Sequence, residues 1–228
     1  MLGAGFFMSR MPERKIRTER LGSRGRHGNV QVGQWIDLFG QRRKASNGNM
    51  DRWSAARSAA GVQLLVQLAM DHGVPEARVL AGSGIPPERL ADPTLEITAA
   101  QELAVIRSLQ SALPQVPALG LQAGAKYHLT AYGILGFALI SSPTLRSAID
   151  VGLRYLDLSF SFNHMYAETR GDMLHLVLDD SEVPEDVRRF VVERDLAAIH
   201  NIYRELLSQP VPVSGIRLRA SAPPQPEI

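Results

Sequence analysis

Residues 132–158 read YGILGFALISSPTLRSAIDVGLRYLDL. An apolar run ends at Ile140, Ser141-Ser142-Pro143 breaks it, and an amphipathic pattern follows in which Leu145, Ala148, Ile149, Gly152, Leu153, Leu156 and Phe160 recur at helical spacing. The stretch predicts two packed helices rich in apolar side chains and poor in acids, bases and nucleophiles. That balance points to a protein that binds something rather than transforms it. The greasy run, Leu129–Ile140 with Gly133 and Gly136 inside it, is shorter than the roughly 20 apolar residues of a membrane span, so it predicts a buried core helix.

Upstream of this pair, Val62, Leu65, Val66, Leu68 and Ala69 fit a helix that Asp71-His72-Gly73 ends. Pro75 opens a short helix through Leu80, and Thr98 with Gln101 forms a capping box ahead of a helix over Ala99–Ala112. A further short helix covers Ala118–Tyr127, where Gly120 and Gly124, four apart, suit close helix packing. Downstream the period changes to two. Met165–Thr169 and Met173–Leu178 flank Gly171-Asp172, the pattern of a β-hairpin. Pro184, Glu185 and Asp186 start a long helix with Val192, Leu196, Ile199, Tyr203 and Leu206 as its buried stripe. Residues 213–220 alternate like a half-exposed strand, and Pro223-Pro224-Gln225-Pro226 has linker composition. The fold class expected is α+β: a mainly helical domain with a small antiparallel sheet made of the hairpin and a C-terminal strand.

The net charge of +2 hides an asymmetry. Residues 1–52 carry eleven Lys/Arg against four acids, while the remainder carries fourteen against nineteen. Residues 1–52 are rich in Gly, Arg, Ser and Asn and show no sustained period, so they read as a disordered basic leader. Two explanations stand: a nucleic-acid arm, and translation that starts at Met50. The second fits better, because the arm has no aromatic interleaving. Leu2–Met8 precedes the basic residues, the reverse of a secretory signal, and the chain is expected in the cytoplasm. Cysteine is absent, which excludes disulfides, thiolate metal sites and a cysteine nucleophile. With 45% hydrophobic residues, the rest of the chain can bury a sizeable core.

No Walker loop, dinucleotide fingerprint, nucleophile elbow or metal-spaced His pair is present. No cofactor is expected, and the chain reads as no enzyme. His164 and His175 sit on opposite arms of the hairpin and could face each other as pocket residues, though solvent-facing strand positions explain them more economically. Asp179, Asp180 and Glu182 suggest a cation site or, more economically, a solvated turn. The aromatic set Tyr132, Phe137, Tyr155, Phe160, Phe162 and Tyr166 suits either the core or an effector pocket, since such pockets are mostly apolar with a few polar groups. Tyr132 and Tyr155 carry most weight, because a buried phenol needs a hydrogen-bond partner. The ligand-binding candidates are therefore Tyr132, Phe137, Arg154, Tyr155, Phe160 and Phe162.

Three segments together carry a family resemblance: GSGIPPERLADPTLEITAAQ (82–101), PALGLQAGAKYHLTAYGILGFALISSPTLRSAIDVGLRYLDL (117–158), and the hairpin and helix that follow. The chain resembles the N-terminal effector-binding domain of AraC-type transcriptional regulators, in the subgroup labelled arabinose-binding. The resemblance covers about Ala59 to Pro224 and is most specific in Tyr-Gly-x-Leu-Gly-Phe-Ala-Leu-x-Ser-Ser-Pro-Thr-Leu. It implies a ligand-sensing and dimerising domain, and it implies DNA contact only through a C-terminal helix-turn-helix domain that residues 1–228 lack. The resulting division is a leader (1–52), an effector domain (53–222) and the start of a linker (223–228) in a truncated regulator. The partners implied are a small-molecule effector and a second copy of the chain, with no membrane. The apolar region 129–162 argues against a sugar and for an acyl or aromatic acid steered by Arg146 or Arg154. The alternative reading is an interaction or dimerisation module with no small-molecule ligand.

Overall fold

The computed structural model describes residues 56–170, 173–207 and 213–218, and the backbone of 4–9. In chain order these form β1 (Ala4–Ser9), β2 (Ala56–Ser58), α1 (Ala60–Asp71), α2 (Glu76–Leu80), β3 (Glu96–Thr98), α3 (Ala99–Ala112), α4 (Leu119–Gly124), α5 (Gly133–Ile140), α6 (Leu145–Arg154), β4 (His164–Arg170), β5 (Met173–Asp179), α7 (Glu185–Leu206) and β6 (Val213–Arg217). Single 3₁₀ turns at Leu129–Tyr132 and Leu156–Leu158 precede α5 and follow α6. The architecture is α+β, as the periodicity implies.

The first lobe is helical. Thr98 caps α3 by accepting the Gln101 N–H at 3.2 Å, while the Gln101 side chain accepts the Thr98 N–H at 2.9 Å. This reciprocal pair satisfies two donors that a helix start leaves open. Helices α1 to α4 and the first turns of α7 close one continuous core, which includes Val62, Leu65, Val79, Val105, Ile106, Leu109 and Val187. The glycine pair of α4 permits its packing on α7. A Cβ at Gly120 would overlap the Phe190 carbonyl oxygen, and one at Gly124 the Arg194 carbonyl oxygen.

The second lobe is a four-stranded antiparallel sheet, ordered β4-β5-β1-β6, beneath α5, α6 and the second half of α7. Leu174, Leu176 and Leu178 alternate on β5 opposite Thr169, Ala167 and Met165 of β4. Leu176, Leu178, Met165 and Ala167 pack with Leu145 of α6 and Leu196 and Tyr203 of α7.

Three expectations change. The leader contributes a strand at Ala4–Ser9, which pairs with β5 from Ala4↔Leu178 to Ser9↔Met173 and with β6 from Gly5↔Arg217. The C-terminal strand therefore joins the hairpin through β1 rather than directly; the remaining leader and the Gly171-Asp172 turn lie outside the described residues. A six-residue run flanked by unperiodic, Arg-rich sequence gives no alternation strong enough to read as a strand. The greasy helix is not a fully buried core helix. Leu135, Ala138 and Leu139 of α5 are buried, but Phe137 is 67% exposed and Ile134 and Ile140 face outward too, because α5 lies at the edge of its lobe. Finally, α6 ends at Arg154, so Phe160 joins the core from the connection before β4 rather than from the helix.

Candidate functional site

Among the described residues, a half-open cavity of about 130 Å³ lies between α5, α6, the β4–β5 hairpin and α7. Its outer wall is α6, which lines it with Leu145, Ala148, Ile149, Gly152 and Leu153. Thr144 caps α6 by accepting the Ser147 N–H at 3.1 Å, which fixes the helix start just after the Ser141-Ser142-Pro143 break. Leu145 at that end packs onto Leu176 and Leu196. Further along α6, Ile149 and Leu153 also pack on that cluster while they line the cavity together with Gly152, Leu139, Met165, Leu176 and Ile199. Gly152 supplies no side chain where the helix crosses the opening.

The polar part of the wall is small: Tyr132, Ser159, Ser161, Asp195 and Tyr203. Asp195 is the anchor. Its Oδ2 accepts hydrogen bonds from Ser161 Oγ at 2.6 Å and Asn163 Nδ2 at 2.7 Å, and its Oδ1 accepts from Arg194 Nε at 3.0 Å. The Ser161 N–H donates to Ser159 Oγ at 3.1 Å, which joins the two serines into one polar strip. Tyr132 approaches from the other side, its ring 5.0 Å from that of Phe160. Burial pushes the Tyr132 phenol far above its ordinary pKa, and the nearby Asp195 charge adds to the effect, so the hydroxyl stays protonated and able to donate.

Behind this wall runs a buried chain of charges. Arg194, wholly buried, donates from Nη1 to Glu102 Oε1 at 3.0 Å and from Nη2 to the Phe160 carbonyl at 2.7 Å. Its guanidinium also lies 5.2 Å from the centre of the Phe162 ring. Arg57 Nε stands 3.3 Å from Glu102 Oε2 without aiming its N–H at that oxygen, so the two form an ion pair but no hydrogen bond. Arg57 Nη2 donates to the Ser159 carbonyl at 3.1 Å. Burial alone would discourage charge on Arg194, yet the carboxylates of Asp195 and Glu102 outweigh it and hold its pKa above the ordinary value. Two cations and two anions thus connect β2, α3 and α7 to the cavity wall.

The structure separates the sequence candidates. Tyr132 lines the cavity. Phe160 and Phe162 are buried beside it, Phe160 stacking edge-on against Tyr127 with ring centres 5.3 Å apart and Phe162 beneath Arg57 and Arg194. Tyr155 is half-buried in the α5–α6 cluster, and Phe137 and Arg154 face solvent. Arg146 pairs with Asp150 on the exposed side of α6, so neither arginine borders the cavity. His164 and His175 do not face each other, because the register sets His164 opposite Asp179 and Glu168 opposite His175. Asp179 Oδ1 accepts the Ser181 N–H, and Glu182 pairs with His164; among the described residues no cluster suits a metal ion.

Reading the sequence missed Glu102, Arg194, Asp195, Ser159 and Ser161. A signal was present for two of them. Asp195 falls three residues after Val192 and four before Ile199, on the buried stripe of α7, and Glu102 falls between Ala99 and Ile106 on the buried stripe of α3. A charge on an apolar stripe needs a buried partner. No helix among the described residues is long and apolar enough to cross a membrane.

Residues 73–228 match the sequence model of a family described as the arabinose-binding domain of AraC transcription regulator, N-term. Over 138 residues, 60% of this chain, it is 38% identical to HTH-type transcriptional regulators of Mycobacterium bovis and Mycobacterium tuberculosis. It is also 27% identical to the ornithine utilization regulator of Pseudomonas aeruginosa over 168 residues, 72% of this chain. The match spans 40% of the mycobacterial proteins and 48% of the Pseudomonas one.

Proposed function

The chain belongs to the AraC-type family of arabinose-binding N-terminal domains, and from that premise we propose that it is a cytoplasmic sensor whose cavity takes a small-molecule effector for transcriptional control. The observation that carries this reading is the apolar, half-open cavity with one polar end. Binding pockets combine an apolar lining with a few convergent polar groups, whereas catalysis needs an acid, base or nucleophile aimed at a reacting atom. Here the one carboxylate in the wall already accepts three hydrogen bonds. A guest between α6 and the sheet would favour one setting of α5–α6 over another, and a ligand can transmit a signal only by such differential affinity. The response would pass to a helix-turn-helix part of the kind for which the mycobacterial relatives are named.

A thermal-melt screen of the purified chain with lipophilic one-ring compounds and with L-arabinose tests the proposal. At a hundredfold excess over Kd a true ligand adds about 2.7 kcal/mol of stability. The expected outcome is stabilisation by lipophiles. Stabilisation by arabinose alone would replace the lipophile with the sugar of the family label.

A second role, homodimerisation, is favoured by the outward apolar residues Ile134, Phe137 and Ile140 of α5. Sedimentation of wild type and Phe137→Glu distinguishes the cases. A dimer that the charge dissociates supports this surface, and a monomeric wild type removes it.

A further inference from the structure

The polarity of the cavity wall is unevenly distributed, and the distribution describes its guest. Most of the wall is aliphatic, from α5, α6, β5 and α7, while Tyr132, Ser159, Ser161 and Asp195 gather at one end. That end offers both kinds of hydrogen-bonding group. Asp195 is fully engaged, with Oδ2 accepting from Ser161 and Asn163 and Oδ1 facing Nε and Nη2 of Arg194, each at 3.0 Å. The open groups at this end are therefore the hydroxyls of Tyr132 and Ser159. The Tyr132 phenol is held protonated by burial. Ser159 accepts the Ser161 N–H, and a hydroxyl that accepts still has its own hydrogen to donate.

We propose that the cavity selects an uncharged lipophilic molecule bearing one hydroxyl, a one-ring phenol or a short branched alcohol. This deepens the effector reading above and rests on it. The guest hydroxyl accepts from the Tyr132 phenol and donates to the second lone pair of Ser159 Oγ, which among the described residues accepts only the Ser161 N–H. The hydrocarbon body lies between Ile149, Leu153 and Leu176.

The alternatives fail for separate reasons. A carboxylic acid would meet a carboxylate with no arginine or lysine in the wall. The guanidinium of Arg194 is turned away, committed to Asp195, Glu102 and the Phe160 carbonyl. An ammonium group finds no spare charge, because Arg194 already neutralises Asp195. A sugar would bury several hydroxyls against aliphatic carbon, and an unpaired buried hydroxyl is costly. A plain hydrocarbon fits but leaves the polar end without water or partner. Size agrees: a cavity of about 150 Å³ holds benzene, and this one measures about 130 Å³ with one side open.

The test titrates the full chain at pH 7 with 4-ethylphenol, ethylbenzene, 4-ethylbenzoate and L-arabinose by calorimetry. The expected order is 4-ethylphenol binding about tenfold tighter than ethylbenzene, with the anion and the sugar far weaker than either; one satisfied hydrogen bond accounts for a factor of that size. Tyr132→Phe and Ser159→Ala, each checked for an unchanged circular-dichroism spectrum, should shrink the phenol-to-hydrocarbon ratio to about threefold or less. Equal affinities for 4-ethylphenol and ethylbenzene overturn the hydroxyl selectivity and leave the effector cavity standing. Tighter binding of 4-ethylbenzoate or arabinose overturns the selectivity in favour of an acid or a sugar. Failure of all four to bind at millimolar concentration removes the effector-cavity reading itself.

Discussion

The two lobes use much the same aliphatic residues and reach opposite results. In the helical lobe, Val62, Leu65, Val105, Ile106 and Leu109 are wholly buried in one core, and two glycines bring α4 into backbone contact with α7. In the sheet lobe, Leu139, Ile149, Leu153 and Leu176 surround an opening. Composition does not distinguish them; the placement of small residues does. Gly120 and Gly124 remove side chains where two helices must touch, whereas Gly152 removes one where a helix crosses a space. The buried charges Arg57, Glu102, Arg194 and Asp195 run from the closed lobe to the wall of the open one. The helical lobe thus mounts the wall of the cavity through buried charges.

The largest effect should come from breaking that mount. Arg194→Met leaves Asp195 buried without its cation and Glu102 with Arg57 alone, and removal of one partner from a buried pair costs about 3–5 kcal/mol. Chemical denaturation should show a loss of that order, and a loss below about 1 kcal/mol would contradict the buried network. Next comes one substitution made in both lobes. Gly124→Ala drives a methyl into the Arg194 carbonyl and should cost about 1–3 kcal/mol. Gly152→Ala meets only Leu139 Cδ2, at an ordinary 3.5 Å, and should stabilise α6 by about 0.5–1 kcal/mol while narrowing the cavity. Melting curves that move the same way for both variants would abolish the distinction between closed and open lobes.

The smallest effect concerns the exposed pair Arg107–Asp186, which ties α3 to the first turn of α7. The hydrogen bond from Arg107 holds the Asp186 carboxyl below the ordinary aspartate value. A depressed carboxylate contributes stability above its unfolded pKa, near 4, and loses it as pH falls through the lower folded value. Arg107→Ala should therefore cost no more than about 1 kcal/mol at pH 7. The difference from wild type should shrink below pH 4, and a difference that grows there would assign the coupling elsewhere.

Much of this molecule was legible in the sequence, and what was missed has physical causes. Helices α1, α3 and α7 and the β4–β5 hairpin declare themselves by period and by caps, because those signals are local. The pairing of β1 between β5 and β6 is a contact over more than 160 residues of chain, and no local pattern encodes it. Of the site candidates, Tyr132 lines the cavity, while Phe137 and Arg154 point outward, since helical spacing shows which residues share a face but not which face is covered. Ser159 and Ser161 lie in a connection without period, and only the fold brings them to Asp195.

Methyl-resolved NMR of the chain titrated with 4-ethylphenol tests the division of labour most directly. The account predicts shifts for Leu139, Ile149, Leu153, Leu176 and Ile199 around the cavity, with Leu65, Val105 and Leu109 of the closed core unmoved. Shifts centred on the closed core, or spread equally over both sets, would contradict it.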